Sequence, residues 1–141
     1  MRNSVKFPLL LSVTVLIMGN SHLLLSLDQI ISNFEWKKRI VLLIAKNDDL
    51  KLIRGVEYFF EKGACQNTDR NLELYKIIGN EITKYNVPSR YEGRTGIWLI
   101  GYDGGNKAYS NDLSLLDQLY EIIDEMPIRK NEMLQQTSRC D

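Results

Sequence analysis

The segment Thr95–Pro127, TGIWLIGYDGGNKAYSNDLSLLDQLYEIIDEMP, decides the fold. Thr95 to Gly101 holds Ile97, Trp98, Leu99 and Ile100 in an uncharged run, the composition of a buried central strand. Asp103-Gly104-Gly105 predicts a hairpin turn, because a tight reversal needs positive φ, which glycine adopts without a Cβ clash. A short strand follows the turn. Leu115, Leu116, Leu119, Ile122, Ile123 and Met126 then recur every three or four residues and predict an amphipathic helix. Ser114 and Asp117 have the spacing of a capping box, and Pro127 marks the helix end.

Upstream, Ile40 to Ala45 is a second apolar run with charged flanks, suited to a strand buried on both faces. Asn47-Asp48-Asp49 supplies cap chemistry for a helix over Leu50 to Lys62. Its stripe is Leu52, Ile53, Val56, Phe59 and Phe60, and Gly63 stops it. Leu27 to Phe34 reads as a short amphipathic lead-in, and Ala64 to Asn71 as a polar loop. Leu72 to Ile78 alternates apolar and polar residues, the signature of a strand. Glu81 to Tyr85 predicts a short helix ended by Asn86-Val87-Pro88, and Ser89 to Gly96 a charged loop. Both tryptophans, Trp36 and Trp98, are expected in the core. The order predicts an α/β, thioredoxin-like fold: a βαβ unit, then a ββα unit, giving a central mixed sheet flanked by helices.

The termini carry a separate message. Arg2 and Lys6 precede an apolar stretch from Phe7 to Met18, and Gly19-Asn20-Ser21 offers small residues for cleavage before His22. The stretch is about a dozen residues, short of the roughly 20 that span a bilayer. Residues 1–21 are therefore expected to be a signal peptide, 22–136 the domain and 137–141 a tail. The expected compartment is periplasmic or extracellular. Leu23, Leu24 and Leu25 keep an alternative open, a membrane anchor over residues 7–27. No Cys follows the apolar stretch, which disfavours a lipoprotein. Basic and acidic residues balance at 18 each, and no basic run exceeds Lys37-Lys38-Arg39, so no nucleic-acid partner is expected.

Four segments carry a family resemblance: Trp36 to Arg39, Gly101 to Lys107, Ile123 to Pro127, and Ile128 to Met133, the last two reading together as IDxMPxRxxEM. In this order they resemble a bacterial exported family of unknown function (family 4174), thioredoxin-like by relationship. Similar domains occur in animal extracellular proteins with sushi repeats. The resemblance spans about Leu27 to Gln136. It implies a fold and a compartment, and it carries over no substrate, cofactor or catalytic residue.

A thioredoxin-like fold invites a redox reading. Dithiol chemistry wants a low-pKa cysteine at the first helix N-terminus, where the helix dipole stabilises thiolate. Here that position reads Lys46-Asn47-Asp48-Asp49-Leu50, without a cysteine. The two cysteines are Cys65 and Cys140. They could bond to each other, stay as two thiols, bond to a partner, or leave Cys65 redox-active. The single histidine, His22, removes His-based triads and makes a His-containing metal site improbable. Asp48 and Asp49 read as helix caps rather than catalytic carboxylates. Arg129, Lys130 and Glu132 read as ion-paired surface residues or a docking surface. The leading expectation is an exported, non-catalytic binding or structural module with an unknown protein partner and no cofactor; a membrane is involved only if the N-terminal segment stays uncleaved. The alternative is a divergent thiol-dependent oxidoreductase using Cys65 and Cys140.

Overall fold

The computed structural model describes residues 23–140; the expected signal peptide and His22 lie outside them. In chain order the elements are β1 (Leu25–Ser26), α1 (Leu27–Phe34), β2 (Arg39–Ala45), α2 (Leu50–Lys62), α3 (Ala64–Asp69) and β3 (Leu72–Ile78). A 3-10 helix (Gly79–Lys84), β4 (Tyr85–Asn86), β5 (Gly96–Ile100), β6 (Asn106–Ser110), α4 (Ser114–Asp124) and α5 (Pro127–Gln135) follow. The main sheet has the order β3-β2-β5-β6. β2 and β3 are parallel, with Arg39 opposite Leu72 and Ala45 opposite Ile78. β5 runs antiparallel to β2, and β6 antiparallel to β5. The fold is mixed α/β with a central mixed sheet flanked by helices, compatible with the thioredoxin-like arrangement.

Strand alternation splits the apolar runs between two cores. Val41, Leu43, Ala45, Ile97 and Leu99 point to one face, where Leu52 and Val56 of α2 and Leu119 and Ile123 of α4 cover them. Ile40, Leu42, Ile44, Trp98 and Ile100 point to the other, under Leu27 and Ile31 of α1 and Tyr91 of the loop before β5. All seven residues of β2 and all five of β5 are buried, which explains the unbroken hydrophobicity of Ile40–Ala45 and Ile97–Ile100.

Local chemistry sets the element ends. Ser26 Oγ accepts from the Gln29 amide and starts α1; Asp49 accepts from the Leu52 amide and starts α2, the capping role expected of Asp48-Asp49. The β5–β6 turn is longer than a two-residue reversal. Gly104, at φ 74°, donates to the Gly101 carbonyl, and the Asp103 carboxylate accepts from the Gly105 amide.

Several local expectations are corrected. Ala64 to Asn71 is not all loop: its first six residues form α3, with the Thr68 hydroxyl donating to the Ala64 carbonyl. The Glu81–Tyr85 helix is a 3-10 helix beginning at Gly79. α4 ends at Asp124, and Pro127 also opens a further helix, α5, where its missing N–H costs nothing. The Ser114–Asp117 capping box does not form; Asp112 accepts from the Ser114 amide instead. Trp36 is 68% exposed, not core, because the chain leaves α1 through a left-handed residue there (φ 60°) and turns the indole outward. Trp98 is buried as expected.

Gly79 lies at the carboxyl end of β3 with φ 58°, and the Asn47 side chain fills the place a Cβ would take. Gly79→Ala should therefore lower stability by about 1–2 kcal/mol. A urea melt that leaves the midpoint unmoved would contradict that packing.

Candidate functional site

The cleft at the strand ends

Parallel strands deliver loops to their carboxyl ends, the usual place for a ligand in α/β sheets. An open cleft of about 760 Å³ lies there. β2 contributes Ile44, Ala45 and the following Lys46 and Asn47; Gly79, Asn80 and Ile82 come from the segment after β3; Tyr91 to Thr95 close the far side. Its floor is apolar and its rim carries amides, hydroxyls and the exposed Lys46 and Arg94. Tyr85, which lines it, shares a hydrogen bond of 3.0 Å with Tyr75. Burial and that bond push the Tyr75 hydroxyl up to about 12, so it keeps its proton at neutral pH. The Asp49 carboxylate is engaged in the α2 cap. What this cleft offers is hydrogen bonding and shape.

The cysteines and the arginine cluster

Cys65, in α3, is bonded to Cys140, across a separation of 75 residues. Neither sulfur lines the cleft at the strand ends.

Arg129 does not lie on an open surface. It is 4% exposed, and its guanidinium reaches the Asp69 carboxylate (2.8 Å), the Asp124 carboxylate (3.0 Å) and the Asp69 carbonyl (2.9 Å). Glu132 turns inward as well: it pairs with Arg39 at 3.1 Å and accepts from the Tyr102 hydroxyl at 2.7 Å. Only Lys130 of the three stays exposed, paired with Glu125. Two further arginines complete the cluster. Arg39 donates to the Arg70 carbonyl and lies over the Tyr102 ring; Arg70 grips Asp124 at 2.6 Å and lies over the Tyr120 ring. The cluster ties the start of β2 to α3, the end of α4 and α5. Its shape is that of a clamp, since each buried cation already faces carboxylates or carbonyls of this chain.

Sequence reasoning did not find Arg39 and Arg70 as members. A signal existed: Asp124, Arg129 and Glu132 are three letters of the IDxMPxRxxEM ending, and all three meet in the clamp.

Burial disfavours the charged form of Asp124, but hydrogen bonds from Arg70 and Arg129 outweigh it and hold the carboxyl below its usual range. A carboxylate whose folded pKa is depressed stabilises the fold above its unfolded value, near pH 4, and loses that as pH falls through the folded value. The urea midpoint should therefore drop below about pH 4. Asp124→Asn should lower it at neutral pH and soften the acid drop; Asp103 and Asp112, also held low, keep part of the slope. A variant as acid-sensitive as the parent would refute that assignment.

Comparisons with known proteins place these features in context. A family model described as a domain of unknown function (DUF4174) matches residues 30–132. Coiled-coil domain-containing protein 80 of Danio rerio is 26% identical over 149 residues, an alignment covering 82% of this chain. That alignment takes in 17% of the zebrafish protein, so the chain spans less than a fifth of that relative's length. No solved structure matches the chain.

Proposed function

We propose, from the premise that this chain belongs to the DUF4174 family of unknown function, that it is an exported, non-catalytic thioredoxin-like binding module. The observation that carries the proposal is the location of its sulfur. Both cysteines of the chain are joined to each other, on α3 and the C-terminal tail. At the N-terminus of α2, where a dithiol enzyme of this architecture would place its nucleophile, the chain has Lys46-Asn47-Asp48-Asp49.

In this reading the cleft at the strand ends receives a segment of a protein partner. Asn47, Asn80 and the loop before β5 supply hydrogen bonds to it, and the apolar floor supplies burial. Export is supported by the Arg2–Ser21 segment and by a cysteine pair suited to an oxidising compartment. The rival reading, a thiol-dependent oxidoreductase working through Cys65 and Cys140, has one observation in its favour, the proximity of the two sulfurs.

Catalytic turnover separates the two. The purified mature protein should show no disulfide-reductase or peroxidase turnover above buffer, and Cys65→Ser should change nothing in that assay. Turnover that disappears with Cys65→Ser would overturn the binding-module reading. For export, the mass of the secreted product should begin near His22; retention of residues 1–21 would favour the anchor.

A further inference from the structure

We propose that the Cys65–Cys140 bond is a reducible clasp: a site for thiol–disulfide exchange whose opening releases the C-terminal arm without unfolding the domain. This goes beyond the binding reading and does not depend on it.

Three observations carry the inference. The first concerns access. Cys65 is exposed and stands at the rim of a cleft of about 1000 Å³, bounded by Ala64, Thr68, Asp69 and Asn71 on one side and by residues 135–140 on the other. An incoming thiolate can reach that sulfur in the folded protein, whereas a disulfide sealed in a core reacts only after unfolding.

The second concerns what holds the arm. Residues 136–139 are exposed and lie outside any helix or strand. Among the described residues, the arm's far end is tied to the domain by the disulfide and by one long hydrogen bond, from the Gln66 side chain to the Cys140 carbonyl at 3.4 Å. The Cys140 amide donates locally, to Ser138 Oγ at 3.2 Å.

The third concerns what does not need the arm. α5 is anchored upstream of it, by Arg129 on Asp69 and Asp124 and by Glu132 on Arg39. Opening the clasp therefore leaves the clamp in place. It frees residues 136–138, which with Arg70, Arg129 and Asp69 border a second cleft. The bond thus acts as a local fastening.

The chemistry balances with an external dithiol as reductant. Its thiolate attacks Cys65 Sγ, the Cys65–Cys140 bond breaks, and Cys140 leaves as a thiolate that takes up a proton. The second thiol of the reductant then attacks the mixed disulfide and frees Cys65. The protein gains two electrons and two protons as two thiols, and the reductant becomes a disulfide. The step is stoichiometric: each protein molecule consumes one dithiol.

The test is native-state reduction of the mature protein with dithiothreitol, read by alkylation and intact mass, followed by hydrogen exchange. The reduction rate should rise in proportion to dithiothreitol and change little with sub-denaturing urea. Exchange should then speed up in residues 134–140 and stay slow in β2 and β5. The double variant Cys65→Ser/Cys140→Ser, without reductant, should reproduce that local pattern. A rate that is independent of reductant concentration and climbs with urea would show that the bond opens only through unfolding and would overturn the clasp. Loss of protection spreading into β2 and β5, in either experiment, would overturn it equally.

Discussion

Arg129→Ala should remove about 3–4 kcal/mol of folding stability, measured by urea denaturation at pH 7 with the disulfide intact. The magnitude follows from what the side chain leaves behind. Arg129 is the counterion of Asp69, whose side chain is only 15% exposed, and a second partner of Asp124. It also satisfies the Asp69 carbonyl at the end of α3. Truncation strands a shielded carboxylate and an acceptor, which costs far more than the net worth of the intact pair. The double variant Asp69→Asn/Arg129→Met should be more stable than Arg129→Ala alone, because it withdraws the stranded charge with its partner. Arg129→Lys should fall between parent and alanine, since an ammonium cannot reach both carboxylates and the carbonyl in one plane. A loss below about 1 kcal/mol for the alanine variant would class these contacts with ordinary surface pairs. Because domains of this size are held by roughly 5–15 kcal/mol, the variant should stay folded but sit close to its limit.

The clamp shows where sequence reading stops. β2, β5, α2 and α4 were legible because each writes its burial into its own residues: unbroken apolar runs for strands buried on both faces, a three-and-four stripe for the two helices. α3 was not, because ACQNTD has no apolar stripe; it is held by Tyr120 on Asn67 and by Arg70 on Asp124. α5 escaped for a related reason. Its buried anchor is an arginine, and a Pro that ends one helix is equally suited to start the next. Trp36 was misplaced because bulk predicts burial, while a single left-handed residue decides which way the indole faces. For α3 and α5 the deciding contacts join residues far apart in the chain, such as Arg70 with Asp124 or Arg129 with Asp69. Local patterning cannot register such partners. The sulfur reading is the intermediate case: compartment and cysteine number kept a Cys65–Cys140 bond among several options, and only the fold brings the tail to α3.

The loop that this bond closes sets the second large effect. Replacing both cysteines, Cys65→Ser/Cys140→Ser, should cost about 4 kcal/mol, because a 75-residue loop constrains the unfolded chain far more than the folded one. For a domain of this length that corresponds to a fall in Tm on the order of 15 °C. In the folded state the cross-link fastens only an exposed arm, so the variant should keep its hydrogen-exchange protection in β2 and β5. In the unfolded state the cross-link joins the arm to the middle of the chain, so its removal should raise the entropy lost on folding. The double variant should therefore look native at 25 °C and melt early. Reduced parent protein, kept in dithiothreitol and melted alongside, should match it within about 1 kcal/mol, since both lack the same constraint. If the double variant melts with the oxidised parent, the unfolded chain gains no freedom from losing the bond. If it is already unfolded at 25 °C, the arm carries packing that the exposed, irregular course of residues 136–139 does not show, and the clasp fails with it.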